Sequence, residues 1–270
     1  MTADSLRELI ATGKTVVAPG ATDALSAKLI EAHGFDCVYI GSYATAASRF
    51  GIPDTGLLSL DELVEQARTI VEAVKVPVIA DAEGGFHDAP NIWRTVQAFE
   101  RAGVAAIHIE DHSGAGKHTS APQSLRRAGP VAARIRAAVD ARKNPGFLIV
   151  ARSDAFWLSR DLDDCIARLQ AYADAGADLV FPTAVGPTEL AEVRRRIGKP
   201  VMIVDMPGRR LEQHRAASIV LYYAFSALVH YEALSSALKN FKSGKRPGGQ
   251  DALEDFLGYK DFTARAGKYR

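Results

Sequence analysis

Short apolar segments, each followed by a stretch of helical spacing, recur along the whole chain, and this alternation constrains the fold more than any other feature. Thr15–Pro19, Cys37–Ile40, Lys75–Asp81, Ala105–Glu110, Phe147–Arg152, Leu179–Pro182, Pro200–Val204 and Ser218–Tyr222 read as strands. Their near-continuous apolar character suits strands covered on both faces. Helices are expected over Asp23–His33, Ser59–Val74, Asn91–Ala102, Pro130–Ala141, Leu162–Ala175, Thr188–Ile197 and Phe225–Phe241. Ser59-Leu60-Asp61-Glu62 is a capping box, and Thr188 reads as an N-cap. Three units share a helix–Gly–strand join, at Gly34, Gly103 and Gly176. Eight such units close an α/β barrel of the (β/α)8, TIM type. A doubly wound open sheet competes, but no Gly-x-Gly-x-x-Gly follows the first strand. Leu6, Leu9 and Ile10 mark an N-terminal helical cap, while Gly41–Gly56 and Asp111–Ala128 read as loops. After a Ser243–Gly249 link, a helix near Asp251–Leu257 makes a C-terminal helical extension, and residues 1–270 are expected to form a single barrel domain.

With 270 residues, 47% of them hydrophobic, the chain can bury a large core. A net charge of +1 gives no reason to expect nucleic acid as a partner. Cys37 and Cys165 lie far apart in apolar surroundings and read as packed thiols. Charged residues interrupt any apolar core in Met1–Ala11, and no window reaches membrane-span length. A cytoplasmic protein with no membrane partner is expected.

In a barrel the working face lies at the C-terminal ends of the strands. The third strand runs Val78-Ile79-Ala80-Asp81-Ala82-Glu83-Gly84-Gly85. Its two carboxylates at i and i+2 repel one another unless a cation or a shared proton intervenes. Other strand ends carry Gly41-Ser42-Tyr43, Glu110-Asp111-His112, Arg152-Ser153-Asp154, Thr183 and Asp205. Carboxylates from neighbouring strands suit a hard divalent cation, Mg2+ with Mn2+ as a substitute. Arg152 offers a planar fork for a substrate carboxylate. The plain alternative is an internal ion-pair network.

Pro19–Ala27, Gly51-Ile52-Pro53-Asp54-Thr55-Gly56, Asp81–Gly85, Ala105–Asp111 and Ala151–Ala155 together resemble the isocitrate lyase and phosphoenolpyruvate mutase superfamily. Its members break or rearrange C–C or P–C bonds next to a carboxylate, bind Mg2+ and stabilise an enolate of a 2-oxo acid. The resemblance implies that Asp81, Glu83 and Glu110 hold the metal, although Asp is the commoner residue at position 83. It implies that Arg152 holds the substrate carboxylate, aided by the Gly41-Ser42-Tyr43 turn, and that Asp54 lies close to the reacting centre. It also implies homotetramers that exchange the last barrel helix.

The departures concern proton transfer. Lyase members carry a catalytic cysteine in the loop after the fourth strand; here the loop reads His112–Ser120, with Lys117 before His118 at about the cysteine's position. A histidine suits proton transfer near neutral pH. Thr183 replaces a usual glutamate, and Tyr43 a usual glycine that leaves a wider pocket. The expected activity is a Mg2+-dependent carbon–carbon lyase acting on a small 2-oxo or 2-hydroxy di- or tricarboxylate, with Asp54, His118 and Lys117 as the catalytic set. Oxaloacetate decarboxylation or hydrolysis, phosphonopyruvate hydrolysis, or carboxylate binding without turnover are the alternatives. His87 and His112 read as flanking groups, His108 as a satisfied interior histidine, and Trp93, Trp157, Phe181 and Tyr222 as packing. Arg194–Arg196 and Lys242–Arg246 read as solvated charge.

Overall fold

A computed structural model describes residues 3–113, 117–119, 123–205 and 216–269. Eight parallel strands appear among them: β1 (Val16–Pro19), β2 (Val38–Ile40), β3 (Val78–Asp81), β4 (Ala106–Glu110), β5 (Leu148–Ser153), β6 (Leu179–Pro182), β7 (Met202–Val204) and β8 (Ile219–Tyr222). β2 to β6 pair in sequence order, and β7-β8-β1 form a second run. Parallel bridges Gly20↔Tyr39 and Val180↔Val201 join the runs and close the ring. The barrel inferred from the alternation is the fold observed.

Alternation along each strand sends successive side chains to opposite faces. Val38, Ile40, Ile107, Ile109, Ile149 and Ala151 pack outward with the helices in one buried cluster. Tyr39, Ile79, Ala106, Leu148, Val150, Phe181, Ile219 and Leu221 form a second cluster, the barrel interior. Leu6, from the helix Ala3–Ala11, is fully buried in that interior cluster, as an end cap should be. Cys37 and Cys165 are free and buried.

The caps explain where the helices begin. Ser59 and Glu62 form the expected capping box ahead of Leu60–Val71, and Asp23 and Ser26 form another ahead of Ala24–Ala32. Gly103 ends Trp93–Ala102 at φ 86, a left-handed turn that glycine enters without a Cβ clash. Thr188 is not the N-cap of its helix: Gly186 is, with Pro187 in the first turn and Glu189 bonding back to the Gly186 N–H at 2.8 Å. Proline's fixed φ there starts the helix one position before the threonine.

Gly41–Gly56 is less loop-like than its sequence suggests. Ser42–Thr45 forms an α-turn that continues as a π-turn over Ala46–Phe50. Two further helices, Ala155–Ser159 and Tyr259–Gly267, had no clear periodic signal. By internal contacts the chain forms two compact units, Met1–Ala227 and Leu228–Arg270. The second is helical, with Gln250–Leu257 and Tyr259–Gly267 separated by a left-handed Gly258. Among the described residues no helix is long and apolar enough to cross a membrane.

Candidate active site

Strand parity carries the chemistry inward. Ile79 points into the barrel, so Asp81 two residues on does too; the same step leads from Ala106 to His108 and Glu110, and from Val150 to Arg152. Glu110 and Arg152 are register partners across β4 and β5, with Nη1 of Arg152 3.2 Å from Oε2 of Glu110. Beyond β3 the chain bends at Glu83, whose φ of 50 is uncommon for a non-glycine residue. Gly85 tightens the bend: a Cβ there would lie 2.9 Å from Ile92 Cδ1. The Glu83 N–H donates to Asp81 Oδ1 at 2.8 Å, and its carbonyl accepts from Glu110 N–H at 2.9 Å.

Asp81, Glu83 and Glu110 each present an oxygen within 4.8 Å of the others. Oε1 of Glu83 is buried without a hydrogen-bond donor. A single hard cation could be held here, because the donors are all carboxylate oxygens and one lacks a partner. The Lys117 ammonium reaches into the same cluster, 2.8 Å from Glu110 Oε1 and 3.1 Å from Glu83 Oε2. Lys117 is only 1% exposed.

Ser42 Oγ stands 3.0 Å from Asp81 Oδ2 and 3.1 Å from Asp54 Oδ2, and its single proton serves one of them at a time. His118 Nε2 lies 3.4 Å from Asp54 Oδ2. The imidazole is bracketed by the edge of Tyr43, at 5.9 Å between centroids, and by Trp157 at 5.4 Å. These groups, with Gly41, Arg152, Thr183 and Tyr223, line a cavity of about 240 Å³. The candidate residues from Gly41 to Arg152 other than Glu83 and Glu110 line this one cavity, and Lys117 links those two to it through its ion pairs.

Electrostatics divide the carboxylates. Burial opposes ionisation of Asp81, but His108, Lys117 and Arg152 outweigh it and hold the carboxyl well below the usual range. Burial, then the Asp81 charge, pushes Glu83 up to about 8. Burial also raises Glu110. Burial lowers His108 to about 4, so its ring is neutral at pH 7. His108 bonds through Nε2 to Tyr39 Oη at 2.9 Å, but its Nδ1 has no hydrogen-bond partner and lies 3.6 Å from Asp81. The interior histidine is therefore satisfied at one nitrogen only.

Four residues carry more than their sequence context suggested. Asp154 accepts two hydrogen bonds from Arg152, at 2.8 and 3.1 Å, and so orients the guanidinium. Asp111 accepts from Ser153 Oγ at 2.7 Å, Asp154 N at 2.9 Å and Tyr172 Oη at 3.0 Å. Trp157 lines the cavity instead of packing in the core, and Phe181 lies under Arg152 with its ring centroid 5.3 Å from Cζ. Position i+2 after Arg152 was the available signal for Asp154. Of the flanking histidines, His112 is fully buried and contacts Gln123 at 2.7 Å, while His87 contacts Thr95 at 3.0 Å.

The profile of the phosphoenolpyruvate phosphomutase family matches residues 6–241. The chain belongs to that family. A 2,3-dimethylmalate lyase of Eubacterium barkeri is 39% identical over 274 residues, covering 97% of this chain and 93% of that protein. The crystal structure of phosphoenolpyruvate phosphomutase from Streptomyces platensis subsp. rosaceus superposes with a TM-score of 0.92 at 29% identity, over 100% of this chain and 99% of that one. A phosphonopyruvate hydrolase complex with oxalate and Mg++ gives 0.88 at 25% identity, over 100% and 99%. The resemblance read from the motifs is thereby established, and the protein is a lyase-type enzyme of the isocitrate lyase/phosphoenolpyruvate mutase superfamily.

Proposed function

We propose that the protein cleaves a carbon–carbon bond next to a carboxylate in a small 2-oxo or 2-hydroxy dicarboxylic acid, with Mg2+ as cofactor. The observation that carries this reading is the convergence of Asp81, Glu83 and Glu110 within 4.8 Å, beside a cavity faced by Arg152. Those three carboxylates would hold the ion, and Mn2+ would serve in its place. When bound, the ion supplies Lewis-acid stabilisation of the negative charge that develops on the substrate.

The protein's own groups do the rest. Arg152, steadied by Asp154, binds the substrate carboxylate, and Ser42 with the N–H groups around Gly41 and Tyr43 holds the adjoining oxygen. Asp54 takes a proton from the substrate hydroxyl. His118, 3.4 Å from Asp54, returns one to the departing carbon in place of the absent cysteine thiol. A cavity of about 240 Å³, narrowed by Tyr43, favours a dicarboxylate over a tricarboxylate. The same small cavity supports a second reading, hydrolysis of an oxaloacetate-like or phosphonopyruvate-like acid, since a hydrolase of the latter kind shares the fold over the full chain.

We further read residues 1–270 as one barrel domain with its helical extension, working as a cytoplasmic homotetramer. The helix Phe225–Lys242 has no buried residue, and Leu228, Tyr231, Leu234 and Leu238 are all exposed, a face that a second copy would cover. A monomer in solution-scattering or sedimentation measurements would sink that part. Turnover is tested by offering 2-oxo and 2-hydroxy acids with and without Mg2+ and following release of pyruvate, oxalate or CO2. Mg2+-dependent turnover that Asp81→Ala abolishes is the expected result. Tight oxalate binding with no turnover of any acid would leave a carboxylate-binding protein instead.

A further inference from the structure

Asp111 is fully buried and does not line the cavity, yet it bonds in succession to Arg152, Ser153 and Asp154. Its N–H donates to the Arg152 carbonyl at 3.2 Å. Its Oδ2 accepts from Ser153 Oγ at 2.7 Å, and its Oδ1 from the Asp154 N–H at 2.9 Å. Two residues of the helix Leu162–Asp174 hold the same carboxylate: Tyr172 Oη donates to Oδ2 at 3.0 Å, and Arg168 Nη1 lies 3.6 Å from it. The turn gripped in this way has little local support of its own. Asp154 is the N-cap residue of Ala155–Ser159, where an aspartate ordinarily accepts from the first N–H groups of its helix. Here it makes no such bond, because its carboxylate accepts from Nε and Nη2 of Arg152 instead. A five-residue helix does not persist on its own hydrogen bonds, so tertiary contacts fix its place. That helix carries Trp157, which lines the cavity with its ring 5.4 Å from that of His118.

We propose that Asp111 is a positioning residue for the site: it locks the turn after β5, so that one short segment presents both the Arg152 guanidinium and the Trp157 indole to the cavity. The consequence for Arg152 rests on the carboxylate-binding part of the proposed function; the consequence for Trp157 does not. A guanidinium recognises a carboxylate through a planar fork, so its orientation decides how well it binds. Asp154 fixes that orientation through two bonds, but only while its own backbone is fixed, and Asp111 holds that backbone through the Asp154 N–H. The Ser153 hydroxyl ties the preceding residue to the same carboxylate and lies 3.4 Å from the Ala155 nitrogen, at the start of the helix that carries Trp157. Tyr172 and Arg168 anchor Asp111 itself and make no part of the turn.

The test compares Asp111→Ala, Asp111→Asn and Tyr172→Phe with the parent, all full-length and in a Trp93→Phe background that leaves Trp157 as the only tryptophan. Acrylamide quenching of Trp157 emission reads the turn, and calorimetric binding of oxalate with Mg2+ reads the guanidinium. Asp111→Ala should raise the quenching and weaken oxalate binding about 10- to 100-fold, the cost of a displaced binding group. Asp111→Asn keeps an acceptor for the Asp154 N–H and should restore most of both signals. Tyr172→Phe removes a bond to the same carboxylate from outside the turn and should leave both close to the parent. If Asp111→Ala does not fold, Ser153→Ala removes the bond donated from within the turn and is compared with Tyr172→Phe, with the same order expected. Quenching unchanged in the turn-side variant, or changed equally by Tyr172→Phe, would overturn the inference. So would a change at Trp157 with unaltered oxalate binding. If the parent itself binds no oxalate, the carboxylate reading falls, and the Trp157 comparison alone decides whether Asp111 holds the turn.

Discussion

Arg152→Met is the most demanding test of how the site is held together. Asp154 and Glu110 are both fully buried, and Arg152 gives Asp154 two hydrogen bonds while lying 3.2 Å from Glu110. Removing one partner of a buried pair leaves an uncompensated charge and costs about 3–5 kcal/mol. For a chain of 270 residues that corresponds to roughly 5–9 °C in Tm. Asp154→Asn in the Arg152→Met background removes the stranded charge and should recover about 1–3 kcal/mol, so the cycle is strongly non-additive. The pH dependence has a definite sign. Burial opposes ionisation of Asp154, but the charge and hydrogen bonds of Arg152 outweigh it and lower its folded pKa. The stability this contributes is fully present above the unfolded carboxyl pKa, about 3.9, and is lost as pH falls through the lower folded value. In Arg152→Met the cost is thus full at neutral pH and shrinks on acidification. Urea unfolding of the four proteins by circular dichroism, in EDTA at pH 7.5 and 5, measures the cycle. Additive costs, or a single-variant loss below about 1 kcal/mol, would refute the reasoning.

Glu83, held up to about 8 by burial and the Asp81 charge, should make the metal-free protein lose stability as pH rises from about 4.5 through 8. Glu83→Gln should flatten that part of the profile in thermal unfolding at pH 5, 7 and 9. Mg2+ binding at pH 7 should release close to one proton, visible by calorimetry in buffers of different ionisation enthalpy, with the release fading above pH 8. Tyr39→Phe strips the buried His108 of its 2.9 Å partner and should cost about 1–3 kcal/mol in urea unfolding. His118→Ala should lower kcat about 10²- to 10⁴-fold with little change in KM, checked by steady-state kinetics on whichever acid is turned over.

Much of the barrel was legible because its signals are local. A strand needs a few β-branched residues, a helix its cap, and a βα join its glycine, and Ser59, Glu62 and Gly103 behave as their immediate context dictates. Their places at the C-terminal ends of neighbouring strands also made Asp81, Glu110 and Arg152 recognisable as one set once the barrel was assumed. Short or irregular elements were harder. Ser42–Phe50 is too short for an amphipathic pattern, and its turns are fixed by contacts such as Ile52 N–H to Ala46 carbonyl at 3.2 Å.

The pair at the end of β3 shows where the division falls. Residue type and spacing alone determined that Asp81 and Glu83 would crowd at a strand end, and that such crowding calls for a cation. Only the tertiary structure decided that the Glu83 carboxyl is raised to about 8 while Asp81 is held low, and that Lys117, thirty-four residues from Glu83, supplies an ammonium to the cluster. Local propensity reads over a few residues, whereas burial and charge act through space among groups that only the closed barrel brings together.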